Sequence, residues 1–121
     1  TILYQIFLYQ KDKISYDVED VINENLEIDN LFVRDMVNGV LDKKDELYKK
    51  ADQNLKDWKM SRLGLTDQAI LCLGLYELLY TDTPDVVAIN EAVELAKSYS
   101  DDKVKNMINK VLDNVYKEKI S

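Results

Sequence analysis

No histidine occurs among the 121 residues of this chain. That removes the side chain most often used for proton transfer near neutral pH, and with it the commonest zinc ligand. The single cysteine, Cys72, excludes an internal disulfide and a thiolate metal cluster; it lies in the apolar run AILCLGLY and reads as a small buried hydrophobe. An intracellular, reducing compartment fits that usage. Gly39, Gly64 and Gly74 are isolated from one another, so no glycine-rich turn is available to cradle a phosphate. Apolar runs fall far short of the roughly twenty residues that cross a bilayer, which implies a soluble protein without a membrane partner. No set of nucleophile, base and orienting group can be assembled, and no cofactor or metal is implied. The sequence reads as a non-enzyme.

What is present points to a helical globule. Hydrophobic residues make up 46% of the chain and charged residues 32%, a globular rather than disordered composition. The length suits one domain over residues 1–121 with one contiguous core. A formal net charge of −7 speaks against a general nucleic-acid binder, although the charges are interspersed and a local basic face can act within an acidic whole.

Helical periodicity runs almost throughout, and no strict alternation nominates a strand. TILYQIFLYQ reads as a helix that stops at Lys11. Asp17 can cap a second helix carrying Val18, Val21, Ile22 and Leu26, and Asp29 or Asn30 a third whose stripe is Phe32, Val33, Met36, Val37 and Val40. A largely exposed helix follows from Lys44 to Trp58. Thr66 is the expected N-cap of a central helix, AILCLGLYELLY, apolar nearly all round, with Asp67 in its first turn. Pro84 breaks the chain before a helix with Val86, Ile89, Ala92, Val93 and Ala96 inward. Asn90 on that helix is expected to hydrogen-bond to the neighbouring helix or to the loop before Pro84. After SDD a last helix turns Val104, Met107, Ile108, Val111, Leu112 and Val115 to the core.

The run WKMSRLGLTDQAILCLGLYELLY, then VVAINEAVELAKSYSDDK and INKVLD, resembles the bacterial NusB family, with LYQ at Leu3–Gln5 and FVRDMVNGV from Phe32 as earlier anchors. The resemblance covers about Leu3 to Asp113. It implies an all-α fold of two small helical bundles packed together, about seven helices in all. It further implies a cytoplasmic transcription antitermination adaptor that binds boxA RNA of ribosomal RNA leader transcripts together with NusE, a basic small-subunit ribosomal protein. Action on the RNA polymerase elongation complex would be indirect.

Site roles follow from the same resemblance. Tyr4 and Gln5 are RNA-side candidates, though Tyr4 in ILYQIF reads as core before contact. Tyr99, Lys103, Lys105, Asn106, Met107 and Lys110 are the others: an exposed Tyr99 ring beside lysines would suit unstacked bases, and its alternative is to cover the core edge. Family members carry an aromatic residue where Met107 stands and a glycine at Lys110, so a stacking ring is exchanged for a possible phosphate contact. Asp67 matches a carboxylate that faces NusE, and it equally serves as first-turn charge. Arg62 is a partner contact or a structural ion pair. An arginine-rich segment usually precedes LYQ in the family, and its basic residues are expected upstream of Thr1. Other readings remain open: an accessory domain of an rRNA cytosine methyltransferase, or a helical protein-interaction module without RNA binding. The amphipathic pattern also permits a homodimer.

Overall fold

A computed structural model describes residues 2–25, 31–56 and 58–120. Among these the regular elements are α1 (Ile2–Lys11), α2 (Val18–Asn25), α3 (Leu31–Asp42), α4 (Lys44–Asn54), a 3₁₀ turn Met60–Arg62, α5 (Leu65–Tyr80), α6 (Asp85–Tyr99) and α7 (Asp102–Ile120). The all-α expectation holds. Leu26, Asp29 and Asn30, and the side chain of Phe32, lie outside the described residues.

The arrangement follows from α5. Its sequence is apolar on every side, so burial is achieved only when neighbours surround it. It packs against α1 and α3 and against α4, α6 and α7, giving two small bundles that share one helix; α2 rests on α1. Leu71, Cys72, Leu75 and Leu78 of α5 are fully buried, and Ile6, Ile22, Val40, Leu47, Ala96, Ile108 and Leu112 close around them. Two glycines allow close approach. A β-carbon at Gly39 would run into the ring of Tyr76, and one at Gly74 would lie 3.0 Å from the Ala92 β-carbon.

Helix ends obey local rules where side chains can reach. Asp17 Oδ1 accepts the amides of Glu19 (2.8 Å) and Asp20 (3.3 Å), the expected cap of α2. Asp101 Oδ1 likewise accepts the Val104 amide at 2.9 Å at the start of α7. α1 ends at Lys11, as its pattern suggests: Lys13 takes φ 57°, and the Ile14 amide returns to the Tyr9 carbonyl at 2.8 Å. At the end of α5, Lys119 Nζ donates to the Leu78 carbonyl (2.8 Å) and to Asp85 Oδ1 (2.6 Å), tying α5, α6 and α7 together.

Three expectations are corrected. Thr66 is not the N-cap of α5: the helix begins at Leu65, and the Gln68 amide bonds to the Gly64 carbonyl at 2.9 Å, so Gly64, two residues earlier, takes that place. The helix from Lys44 stops at Asn54 rather than Trp58, because Leu55 turns extended to bury its side chain and Asp52 Oδ1 draws the Met60 amide in at 2.6 Å. On α6 the buried stripe is Ala88, Ala92 and Ala96, while Val86 is 61% exposed. Small side chains won because α6 lies close against Gly74 of α5, where bulk would not fit.

Candidate nucleic-acid and partner interface

The end of α6 and the start of α7 are joined by the short connection Ser100–Asp101. Tyr99, the last residue of α6, is 68% exposed, so of its two readings the exposed ring is the one realised. On α7, Lys103, Asn106 and Lys110 fall at i, i+3 and i+7 and are all exposed, a stripe that periodicity alone would place together. Met107 borders this stripe but packs against the core, showing only part of itself. Lys105 projects off it and pairs with Asp102 at 3.9 Å. The turn itself is pinned. Ser100 Oγ donates to Asp67 Oδ1, which ties the first turn of α5 to the connection between α6 and α7. Asp67 therefore serves the turn as well as the helix dipole.

The Tyr4 side chain is not core. It is 39% exposed and shares with Tyr99 the walls of a groove of about 660 Å³ bounded by α1, α3, α5 and α6. Leucine and isoleucine side chains form much of that groove, including Leu73, Ile70 and the exposed Leu95. Gln5, half-buried on α1, is not among its lining residues. Tertiary packing thus joins Tyr4 to Tyr99, residues 95 positions apart in the chain, and leaves the α7 lysines on the adjoining surface. Arg62 sits elsewhere: it is exposed at the end of the 3₁₀ turn and, among the described residues, has no carboxylate partner. The structural ion pair expected of it is absent because no acidic side chain lines the pocket it borders.

Glu77 was missed by sequence reasoning, and Glu91, read with Asn90 as structural, is its neighbour. They line the same groove from α5 and α6 and hydrogen-bond to each other; burial, then that hydrogen bond and the neighbouring charge, push the Glu77 carboxyl up to about 7. An acid inside an apolar helix was the available signal, visible at Glu77 within LGLYELL. Asn90 is exposed and makes no side-chain hydrogen bond among the described residues, contrary to the structural role expected of it.

The Glu77 pair has a measurable consequence. Its folded-state pKa lies above the ordinary 4.5, so the folded protein binds the proton more tightly and stability falls as pH rises from about 4.5 through 7. Glu77→Gln is expected to flatten that fall and to stabilise by on the order of 1–2 kcal/mol above pH 7, less than the whole shift would carry because solvent reaches the groove. Thermal unfolding at pH 4.5 and pH 8 checks it: an equal effect at both would show that ionisation is not the cause.

The fold is that of a small all-helical domain. Among the described residues there is no metal-ligand cluster, and no helix is long and apolar enough to cross a membrane. Comparison with known proteins gives the class a family. The NusB family model matches residues 1–117, and the chain belongs to that family. It is 42% identical over 120 residues to the transcription antitermination protein NusB of Macrococcus caseolyticus, covering 98% of this chain and 90% of that protein. To the NusB protein of Lactococcus lactis it is 53% identical over 95 residues, or 78% of this chain, and spans about half (49%) of that relative's length. A T. maritima NusB structure superposes with a TM-score of 0.84 at 29% identity, covering 97% of this chain and 84% of that one. Membership in this family of transcription factors means that the chain is not an enzyme.

Proposed function

We propose that the protein is a cytoplasmic transcription antitermination adaptor that holds boxA-type RNA of ribosomal leader transcripts together with NusE, and acts through them on the RNA polymerase elongation complex. The observation that carries this reading is the exposed Tyr99 ring at the end of α6, four residues before the exposed Lys103–Asn106–Lys110 stripe of α7. Single-stranded RNA is read by stacking bases on such rings while cations meet its phosphates. Family membership supports the reading, since the curated relatives are named transcription antitermination proteins.

NusE takes the groove. Its walls offer apolar surface from Leu73, Ile70 and Leu95, the rings of Tyr4 and Tyr99, and the acids Glu77 and Glu91, with Asp67 bonded to the adjoining turn. Apolar area with an acidic rim suits a basic protein. Tyr99 lines the groove and lies four residues before the stripe in the chain, so RNA and NusE would be bound on neighbouring parts of the protein.

Equilibrium binding of a boxA-like RNA to the native full-length protein, across a salt series and with or without NusE, tests this. Affinity should fall steeply with salt and rise when NusE is present. Tyr99→Ala should weaken RNA binding by about ten- to a hundredfold, the usual range for one stacked base. Lys103→Gln with Lys110→Gln should lower the salt slope by about 1.4, or roughly 0.7 for each phosphate that is no longer neutralised. No RNA binding in the presence of NusE would overturn the reading.

A further inference from the structure

A second concavity lies between the end of α1, α4 and the start of α5. Its volume is about 420 Å³, and Lys11, Lys44 and Arg62 line it together with Gln10, Phe7 and Tyr48. No carboxylate lines it. That is unusual in a chain with 23 acidic and 16 basic residues, and it contrasts with the groove walled by Glu77 and Glu91.

Lys44 is the telling residue. It is half-buried, with Nζ 4.5 Å from the centre of the Phe7 ring and 5.3 Å from that of Tyr48. Its hydrogen bond goes to a neutral acceptor, Gln10 Oε1, and among the described residues no carboxylate lies within ion-pair distance; Asp45, next on α4, is exposed. Burial accordingly lowers its pKa. An ammonium withdrawn from water without a counter-charge is stabilised by an anion that enters beside it. The neutral partners are already held in place: Gln10 Nε2 donates to Tyr16 at 2.8 Å, and Gln68, which accepts from the Tyr48 hydroxyl, donates to the Leu63 carbonyl at 2.7 Å. Arg62 and Lys11, both exposed, add two cations at the rim.

This pocket connects with the α6–α7 face. Lys103 Nζ lies 5.6 Å from the centre of the Trp58 ring, and Trp58 is 48% exposed. From Trp58 the chain runs through exposed Lys59 into the 3₁₀ turn that ends at Arg62. An exposed indole between two groups of cations is a base-stacking surface between two phosphate sites.

We propose that the Lys11–Lys44–Arg62 pocket binds backbone phosphate of the same single-stranded RNA that the α6–α7 face holds, with Trp58 stacking a base in between. This extended track rests on the RNA-binding reading above, and it lengthens the footprint from α7 across the 3₁₀ turn to the end of α1.

The test uses the native full-length protein with NusE, and two boxA-like RNAs: one long, one cut to the segment held by the α6–α7 face. For the long RNA, Lys11→Gln/Lys44→Gln/Arg62→Gln should lower the salt slope by about 2, at roughly 0.7 for each of three phosphates, and weaken binding at least about tenfold. Trp58→Ala should weaken it about tenfold or more. The short RNA should be bound alike by all of them. Because Lys44→Gln touches half-buried packing, Lys11→Gln/Arg62→Gln, which changes exposed side chains alone, should still lower the slope by about 1.4. Wild-type affinity and slope for the long RNA in the double variant and in Trp58→Ala, with Tyr99→Ala still defective, would overturn the proposal and leave the adaptor reading standing. Lysine-dependent capture of an acidic peptide with RNA binding unchanged would also overturn it. Loss of all RNA binding by the unmodified protein would instead remove the reading on which the proposal rests.

Discussion

Gly74→Leu is expected to be the most damaging single substitution in the C-terminal bundle, lowering stability by about 2 kcal/mol or more. In isolation the change favours α5, since leucine is a better helix former than glycine, by less than the roughly 0.8–1 kcal/mol that separates alanine from glycine. Packing decides the sign. A β-carbon at this position would lie 3.0 Å from the Ala92 β-carbon and 3.1 and 3.2 Å from the two δ-carbons of Leu112, whereas carbon atoms prefer about 3.5–4.0 Å. Leu112 could rotate, but the Ala92 β-carbon moves only if α6 moves with it. Three further carbons would have to enter the point where α5, α6 and α7 meet, and overpacking of this kind typically costs about 1–3 kcal/mol, occasionally more. Chemical denaturation gives the number. Gly74→Ala combined with Leu112→Ala discriminates the cause, since the methyl at 74 should be better tolerated once the leucine is gone. Simple additivity of the two changes would mean that contact with Leu112 is not what makes bulk costly there.

Ile6→Ala, in the other bundle, should cost at least as much, about 2–5 kcal/mol, the range for removing a fully buried large aliphatic side chain. Ile6 is entirely buried on α1, in the core cluster with Phe7, Ile22 and Leu71. Weakening it should loosen α1 before the rest, because α1 is held chiefly by α5 and α2 whereas α5 is held on all sides. Amide exchange should therefore rise over residues 2–11 more than over α5 to α7. Loosening α1 also takes away one wall of the groove, which includes Ile2, Leu3 and Tyr4, so under the function proposed above NusE binding should weaken more than RNA binding. Uniform loss of protection across all helices would show α1 to be an integral part of one cooperative unit.

Much of the helical layout could be read from residue order, for definite reasons. The all-round apolarity of α5 required enclosure, Asp17 and Asp101 carried the caps they make, and Lys103, Asn106 and Lys110 were bound to share a stripe by helical geometry. Boundaries set by long-range forces were less legible. Thr66 had the chemistry of a cap, yet α5 starts earlier, at Leu65 behind Gly64, and Trp58 fell outside α4 because burial of Leu55 and the bond from the Met60 amide to Asp52 turned the chain first. The inward face of α6 was misassigned at Val86 for a similar reason: hydrophobicity favoured valine, but the space beside Gly74 admitted the alanines.

By itself, then, the order of residues determined the all-helical class, the central place of α5 and the absence of histidine or thiolate chemistry, because these depend on composition and on periods of a few residues. Only the tertiary structure decided that Tyr4 and Tyr99 line one groove, that Glu77 and Glu91 lie in it together, and that Lys11, Lys44 and Arg62 surround one pocket free of carboxylates. Those groupings join residues far apart in the chain, and nothing local specifies them. They arise where α1, α4 and α6 come to rest on α5.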